Sequence, residues 1–346
     1  DERGRARDRV VLTAQAHLLM ATASRGQRLL LIGLLTIAMM APPLLLVMSG
    51  QAELASLFVY GGAIAMGGIF YSLRLAVGLS FLAGLAGIAA YVLSPYPIAG
   101  AVFFGLLTGG CALGARRGLH SPLLMVPVFV GFVLVAPPRI DGTTQVTAAL
   151  LTGAVLTLGG LWMTGSARVL FGRSSKSLER QEFGPRAAVA YALLMAVVLG
   201  VAAWVVLSYA KYHQGAWLLL TLLIVMQPSA HDTITKSVQR LAGTLVGGAG
   251  ALALSLIGLE SPYTFVVAGI LFFGAFSARF ALKRPYWEFV TLLTPAVILL
   301  DAQGGDDVTT TEMRVGFTVI AVIVALAITV GIKALLLRKV PHGESA

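Results

Sequence analysis

Residues 217–254 read WLLLTLLIVMQPSAHDTITKSVQRLAGTLVGGAGALAL, and this stretch decides how the chain folds. A short apolar run ends at Gln227-Pro228, a polar segment follows, and a glycine-rich helix is predicted to begin at Arg240. In a membrane protein, the backbone leaves helical geometry only where protein or water satisfies its polar groups. The break therefore predicts a functional site, provided that the rest of the chain lies in a membrane.

The composition indicates a membrane protein. Hydrophobic residues make up 58% of the 346 residues and charged residues only 12%, whereas soluble domains have about 25% charged residues. The single cysteine, Cys111, excludes an internal disulfide framework and a cysteine-based metal cluster. Apolar runs near helix-spanning length predict an all-α polytopic protein with about twelve transmembrane helices. The predicted spans are 29–48, 54–70, 76–93, 98–114, 122–136, 145–165, 188–209, 216–228, 243–258, 263–281, 286–300 and 314–336.

The basic residues indicate how the chain is oriented. With the N-terminus placed inside, 22 of the 25 Lys and Arg residues fall on the inner side, and Arg139, Lys211 and Arg314 fall outside. This bias follows the positive-inside rule and predicts that both termini are cytoplasmic. The net charge of +10 is therefore assigned to membrane orientation rather than to binding of nucleic acid.

These observations predict five regions along the chain. They are a basic cytoplasmic segment (1–28), a first six-helix membrane half (29–165), a cytoplasmic linker (166–187), a second six-helix half (188–337) and a cytoplasmic tail (338–346).

Two internal repeats support this division. A shift of 166 residues superposes the spans of the two halves and pairs Arg74-Leu75-Ala76 with Arg240-Leu241-Ala242. Chance likeness among helices rich in Leu, Ala and Gly is the alternative. Within the second half, Trp217-x-x-x-Thr221 matches Trp287-x-x-x-Thr291, and Arg240-x-x-x-Thr244 matches Arg314-x-x-x-Thr318. Three spans separate these copies, so each half is predicted to be a 3+3 inverted repeat.

The second repeat suggests how an anion would pass. It places Arg240 at the inner start of one helix and Arg314 at the outer start of another. A helix N-terminus carries about half a positive charge and unsatisfied N–H groups, which attract anions. An arginine at each helix start predicts an anion-attracting entrance on each side of the membrane. The site is predicted to lie between the two entrances, near the middle of the membrane.

The segment AWLLLTLLIVMQPSAHDTITKSVQRLAGTLVGGAGALAL resembles the signature of the fusaric acid resistance protein-like (FUSC) family. The shared features are an aromatic residue leading a short helix, Gln227-Pro228, and the Arg-x-x-Gly-Thr-x-x-Gly pattern that begins at Arg240. The later segment PYWEFVTLL and the pattern Glu312-x-Arg314 look like a second copy of these family features. The resemblance covers residues 187–336. It implies an aromatic acid exporter of the bacterial inner membrane that is coupled to the proton gradient.

Eight residues are candidates for substrate binding, and the arginines and aromatic residues among them each have an alternative role. Arg240, with its counterpart Arg74, either binds substrate anion or lies at the membrane interface, where an arginine costs less than at mid-membrane. For Arg314 the alternative to substrate binding is a salt bridge to Glu312 or Asp301. Aromatic residues either stack on substrate or form an interfacial belt. The predicted substrate-binding residues are Arg240, Arg314, Arg74, Trp217, Gln227, Thr244, Trp287 and Thr291.

Three further positions were interpreted from their neighbours. Glu288 is a candidate for proton coupling, with pairing to Lys283 or Arg284 as the alternative. Asp232 is predicted to be an N-cap. The glycines from Gly243 to Gly250 either unwind a helix or permit close helix packing.

The sequence thus predicts a multi-pass inner-membrane transporter that exports small organic anions, with aromatic carboxylates as the substrate class. A passive anion channel and a non-transporting scaffold subunit are the alternatives. Motifs of phosphate-binding loops, metalloproteases and hydrolase elbows are absent, which predicts that the protein is not an enzyme. No cofactor, metal or nucleic-acid partner is expected. The expected partners are the substrate anion and the lipid bilayer, while a homo-oligomer and a periplasmic adaptor stay open.

Overall fold

The structure is a computed structural model that describes residues 25–171, 183–209, 213–257, 263–276, 278–279, 284–301 and 307–338. Twelve α-helices run through this part of the chain, and a 3-10 turn, Leu113–Arg117, extends the fourth. The helices are α1 (Arg25–Met48), α2 (Ala52–Ile69), α3 (Leu73–Leu93), α4 (Pro97–Ala112), α5 (His120–Val135), α6 (Gln145–Phe171), α7 (Pro185–Tyr209), α8 (His213–Val225), α9 (Ala230–Ser255), α10 (Tyr263–Phe276), α11 (Tyr286–Asp301) and α12 (Asp307–Arg338).

The predicted all-α class is confirmed for the described residues, which form helices and no strands. Five segments are long and apolar enough to cross a membrane: Ala52–Ile69, Leu73–Leu93, Pro97–Arg117, Gln145–Val169 and Pro185–Tyr209. Six shorter apolar helices accompany them. The chain is therefore a multi-pass membrane protein by length and composition, whereas the twelve spans and the inverted 3+3 arrangement stay predictions.

The outer surface of the helices is apolar, as contact with lipid requires. Leu85, Leu106, Leu193 and Val197 are each more than 60% exposed, on three different helices. In water such a surface would cost a large hydrophobic penalty, because exposed apolar area is unfavourable at about 25 cal/mol per Å². A bilayer removes that penalty, so the lipid-facing surface is part of what stabilises the fold.

The first six helices and the last six pack in the same pattern. The pairs α1–α2, α2–α3, α2–α6, α3–α5, α3–α6 and α4–α5 recur as α7–α8, α8–α9, α8–α12, α9–α11, α9–α12 and α10–α11. Two contacts between the groups also match, because α4 packs on α7 while α10 packs on α1. This pattern agrees with the predicted halves 29–165 and 188–337, whose boundaries stay predictions.

Glycines allow the closest of these contacts. A Cβ atom on Gly243 would lie 2.7 Å from the Trp287 carbonyl oxygen, and one on Gly247 would lie 2.7 Å from that of Thr291. Side chains of any size would push α9 and α11 apart. In a bilayer, helices associate through such small-residue contacts, since lipid is as apolar as the side chains. These two glycines therefore serve close packing within an unbroken helix.

Helix α9 begins earlier than the sequence indicated. Ser229 is its N-cap, because the Ser229 hydroxyl accepts a hydrogen bond from the Asp232 backbone N–H at 3.1 Å. The prediction that Asp232 is the N-cap was wrong, and Asp232 lies in the first turn. No glycine or proline interrupts residues 230–242, so the polar segment continues directly into the glycine-rich helix. Arg240 consequently lies ten residues after Ala230, not at a helix start.

The polar face of α9 is turned inward. Its large exposed side chains are mostly apolar, namely Ile234, Val238, Leu245 and Val246, with the polar His231 and Thr235 exposed near its start. Its buried residues include Thr233, Ser237, Arg240 and Thr244. This is the reverse of a helix on a soluble protein, where the apolar stripe faces the core. Polar groups cannot face lipid without a large cost, and they therefore mark the interior of the helix bundle.

Gly247→Ala is expected to destabilise the protein, because the added Cβ would overlap the α11 backbone. Overpacking of this kind costs about 1–3 kcal/mol. Gly250→Ala on the same helix is the matched control, since a Cβ there meets nothing within 4 Å. Thermal unfolding of detergent-purified protein should show a lower midpoint for Gly247→Ala only. Equal midpoints for the two variants would contradict the close contact between α9 and α11.

Candidate functional site

A cavity lies at the centre of the helix bundle, and we call it the central cavity. The space open to the centres of water-sized molecules in it is about 100 Å³. Helices α5, α8 and α11 provide most of its wall, and α10 adds Phe272 and Phe276 while α2 adds Tyr60. Its lining is Tyr60, Ser121, Met125, Val128, Phe129, Phe132, Trp217, Leu220, Ile224, Lys236, Phe272, Phe276, Arg279, Tyr286, Phe289, Leu293 and Val297.

One end of the central cavity is polar, and the topology brings its residues together. Ser121 lies at the start of α5, and Tyr286 is the first residue of α11. Lys236 lies in the second turn of α9, and Arg279 follows the end of α10. Because consecutive helices run in opposite directions, these four helix ends meet on one side of the bundle. We call this group of four residues the basic end.

The opposite part of the central cavity is apolar and rich in aromatic rings. The rings of Phe132 and Trp217 meet edge to face with centroids 5.2 Å apart. Tyr60 packs between Phe129 and Phe132, at centroid distances of 5.3 and 5.5 Å. Edge-to-face and offset contacts of this kind are the favoured geometry of aromatic pairs. The cavity therefore has a charged end and an aromatic body, which suits an amphipathic ligand.

Gln227 holds Lys236 at the basic end. The Lys236 ammonium donates a hydrogen bond of 2.8 Å to Gln227 Oε1. The Gln227 amide nitrogen donates to the Ile224 and Met226 carbonyls, at 2.9 and 3.1 Å. The Tyr191 hydroxyl donates to the same Met226 carbonyl at 3.0 Å. Carbonyls left free where α8 ends are thus satisfied, and the break at Gln227-Pro228 positions a cation.

The basic end carries more positive than negative charge. Arg279 Nη1 donates to the Arg284 carbonyl at 3.0 Å, which orients the guanidinium beside the cavity. Arg279 and Lys236 repel each other, while Asp232 attracts Lys236. Asp232 is itself bonded through Oδ2 to the Ser229 hydroxyl at 2.6 Å. Two cations that share one carboxylate neighbour leave a net positive charge, which favours an anion in this part of the cavity.

Few of the predicted site residues line the central cavity. Trp217 lines it, and Gln227 contacts it through Lys236. Arg240 and Thr244 are buried on the inward face of α9 but are outside the lining. Trp287 is 43% exposed and lies on the side of α11 that packs against α9.

The remaining candidates lie at the periphery of the described structure or beyond it. Thr291 bonds to the Trp287 carbonyl within its own helix at 3.0 Å. Arg74 is exposed in the first turn of α3. Glu288 pairs with Arg284 at 3.6 Å, which is the alternative that its neighbours suggested. Arg314 lies in α12, and its side chain is outside the described residues, so a site between Arg240 and Arg314 stays a prediction.

Two cations of the basic end, Lys236 and Arg279, were missed as site residues. A signal for Lys236 was present, because it precedes Arg240 by four residues and so lies on the same face of α9. Arg279 carried no such signal, since only the packing of α10 against α11 brings it to the cavity. Among the described residues, no group of three His, Cys, Asp or Glu side chains is placed to hold a metal ion.

Gln227→Ala is expected to lower stability, because it leaves α8 carbonyls and the Lys236 ammonium without a partner. Each buried polar group left unsatisfied costs about 1–3 kcal/mol. The matched control is Gln145→Ala at the exposed start of α6, which should change stability by less than about 0.5 kcal/mol. Thermal unfolding in detergent measures both. A midpoint for Gln227→Ala equal to that of the control would refute the bridging role of Gln227.

Comparison with known proteins supports the resemblance seen in the sequence. Residues 198–328 match the sequence model of the fusaric acid resistance protein-like family. No curated protein and no solved structure matches the chain. The matched region contains α8 to α11, and with them Lys236, Arg279 and most of the α9 polar face. The family is one of membrane transport proteins rather than enzymes. The recognition made from the sequence is thereby confirmed: residues 198–328 carry the pattern of the fusaric acid resistance protein-like family.

Proposed function

We propose that the protein transports small organic anions, and that aromatic carboxylates are the class that fits the central cavity. The observation that carries this proposal is the arrangement of the cavity itself. Lys236 and Arg279 lie at one end, and Phe129, Phe132 and Trp217 line its body. A carboxylate would take charge-assisted hydrogen bonds from the two cations, and the ring would pack among the aromatic side chains.

The size of the central cavity suits a ligand of this class. A buried water needs roughly 10–15 Å³ of the space open to the centres of water-sized molecules, so a cavity of about 100 Å³ holds several waters. A single-ring carboxylate replaces a similar number. Larger polycyclic anions would need the aromatic side chains to move apart, and we expect them to be poorer substrates.

The orientation predicted from the basic residues sets the direction of transport. If the N-terminus is cytoplasmic, the starts of α5, α9 and α11 also face the cytoplasm, and the basic end is the cytoplasmic end of the cavity. An anion leaving a bacterial cell would then meet Lys236 and Arg279 first. This supports export across the inner membrane, which is the direction that the family resemblance implies.

Proton coupling is the part of the proposal that depends on the resemblance alone. Glu288 gives it no support, because it is paired with Arg284 and is outside the lining of the central cavity. A passive anion channel would show flux that persists and follows the membrane potential after the pH gradient is collapsed. A scaffold subunit would show no flux at all, so the same vesicles separate all three functions.

Flux in proteoliposomes tests the proposed site. Benzoate should move, whereas benzylamine, which has the same ring and the opposite charge, should not. Lys236→Gln and Arg279→Gln should each raise the benzoate KM about 10-fold or more, because a hydrogen bond to a charged group is worth about 1.5–3 kcal/mol. The measurement is the initial rate of benzoate flux against its concentration.

Arg74→Gln is the matched control, because Arg74 is a basic residue on the same predicted side of the membrane but is exposed and outside the cavity. It should leave the benzoate KM unchanged. Equal flux of benzoate and benzylamine would overturn the proposal. So would a wild-type KM in both cavity variants, once size-exclusion chromatography shows that they are folded.

A further inference from the structure

Arg240 is a buried cation that the central cavity does not explain. Its side chain is 2% exposed, and its Nε and Nη1 atoms have no hydrogen-bond partner among the described residues. The ion pair found between described side chains joins Arg284 to Glu288, and no described carboxylate pairs with Arg240. An uncompensated charge in a protein interior costs several kcal/mol. A guanidinium cannot lower this cost by losing its proton, because arginine stays protonated in proteins.

Two neighbouring hydroxyls also have no hydrogen-bond partner in the described structure. Tyr286 Oη, in a residue 7% exposed, lies near the Arg240 guanidinium and interacts with it electrostatically, but the geometry is too poor for a well-formed hydrogen bond. Ser237 Oγ is fully buried and also without a partner. Helical side chains lean toward the N-terminus of their helix, so the Arg240 head group reaches back over the turn that carries Ser237.

Ser237 differs from most buried hydroxyl residues of the described bundle, and Thr221 and Thr244 share its lack of a hydrogen-bond partner. Several of the others donate to a carbonyl four residues earlier in their own helix, which satisfies the hydroxyl locally. Examples are Ser80 to Ala76 at 2.8 Å, Thr152 to Ala148 at 2.8 Å, Thr164 to Gly160 at 2.8 Å and Thr294 to Val290 at 2.9 Å. The Ser237 hydroxyl makes no such bond and is available to a ligand.

We infer that Ser237, Arg240 and Tyr286 bind a resident monatomic anion, with chloride as the physiological candidate. The three side chains offer N–H and O–H donors, and an ion that only accepts hydrogen bonds satisfies all of them while neutralising Arg240. Water would satisfy the donors but would leave the charge uncompensated. A monatomic ion also needs less room than any other anion, which matters because these side chains are almost completely buried.

This site adjoins the one proposed for the transported anion but is centred elsewhere. Arg240 and Ser237 do not line the central cavity, whereas Tyr286 lines it and is shared by the two sites. The resident anion would hold α9 to the start of α11, which is the side of the bundle where Lys236 and Arg279 lie. It is thus a structural ligand of the wall rather than a substrate, and it does not depend on the protein being a transporter.

The test is the thermal stability of the detergent-purified protein in chloride, bromide or gluconate at equal ionic strength, with no organic substrate present. The wild type should unfold about 2–4 °C higher in either halide than in gluconate, because a ligand bound only by the folded state raises the midpoint. Arg240→Gln should abolish this difference. In gluconate it should unfold no lower than the wild type, since it removes an uncompensated buried charge.

Three milder variants keep the test decisive if Arg240→Gln fails to fold. Ser237→Ala and Tyr286→Phe preserve shape, and each should at least halve the halide-dependent shift. Thr244→Val is the matched control, because Thr244 is also buried and unpartnered among the described residues but lies one turn beyond Arg240, away from its head group. It should keep the full shift.

Each remaining result supports or refutes the site. In crystals grown in bromide, an anomalous peak beside Arg240 Nε would support it. A wild type with equal stability in chloride and gluconate would overturn it, as would an undiminished halide shift in Ser237→Ala and Tyr286→Phe. Stabilisation by benzoate in place of chloride, lost in Ser237→Ala, would assign Arg240 to the transported anion and would also overturn the resident ion.

Discussion

The polar face of α9 must turn away from lipid, and the rest of the structure depends on this constraint. Lys236 and Arg240 lie on that face, and a cation facing the bilayer core would cost more than one held among protein groups. The chain meets the constraint by surrounding α9 with α8, α11 and α12. Gln227 bridges the end of α8 to Lys236, and Tyr286 closes the start of α11 over Arg240. The break at Gln227-Pro228 thus places charge inside the bundle.

The architecture explains why a cavity lies beside this charge. The two groups of six helices pack in the same pattern, and α5, α8, α10 and α11 provide most of the side chains around the central cavity. Glycines bring α9 against α11 so closely that their backbones almost touch. The four central helices carry larger side chains, whose rings fill the space between the groups without closing it. The glycine contacts hold helices tightly together, and the aromatic side chains line the space between the two groups. The bundle is therefore stable and still encloses a ligand-sized space.

Much of this fold is readable from the sequence, and the site much less so. Apolar spans and turn residues placed the helices well, because lipid requires long apolar segments and Pro or Gly ends them. The start of α9 was predicted three residues too late, because Ser229 rather than Asp232 captures an N–H of the first turn. Because Arg74 and Arg240 each begin an identical Arg-Leu-Ala triplet, the sequence made both of them equal candidates for the site. Packing exposes the first and buries the second, and likewise only packing brings Arg279 to Lys236.

The central claim is that one cavity holds an aromatic anion with its carboxylate at the basic end. The most direct measurement is a crystal structure with 4-iodobenzoate, in which iodine is located by anomalous scattering. The iodine should lie against the Phe132–Trp217 pair, with the carboxylate toward Lys236 and Arg279. Iodine at the basic end, or at a place outside the central cavity, would contradict the account.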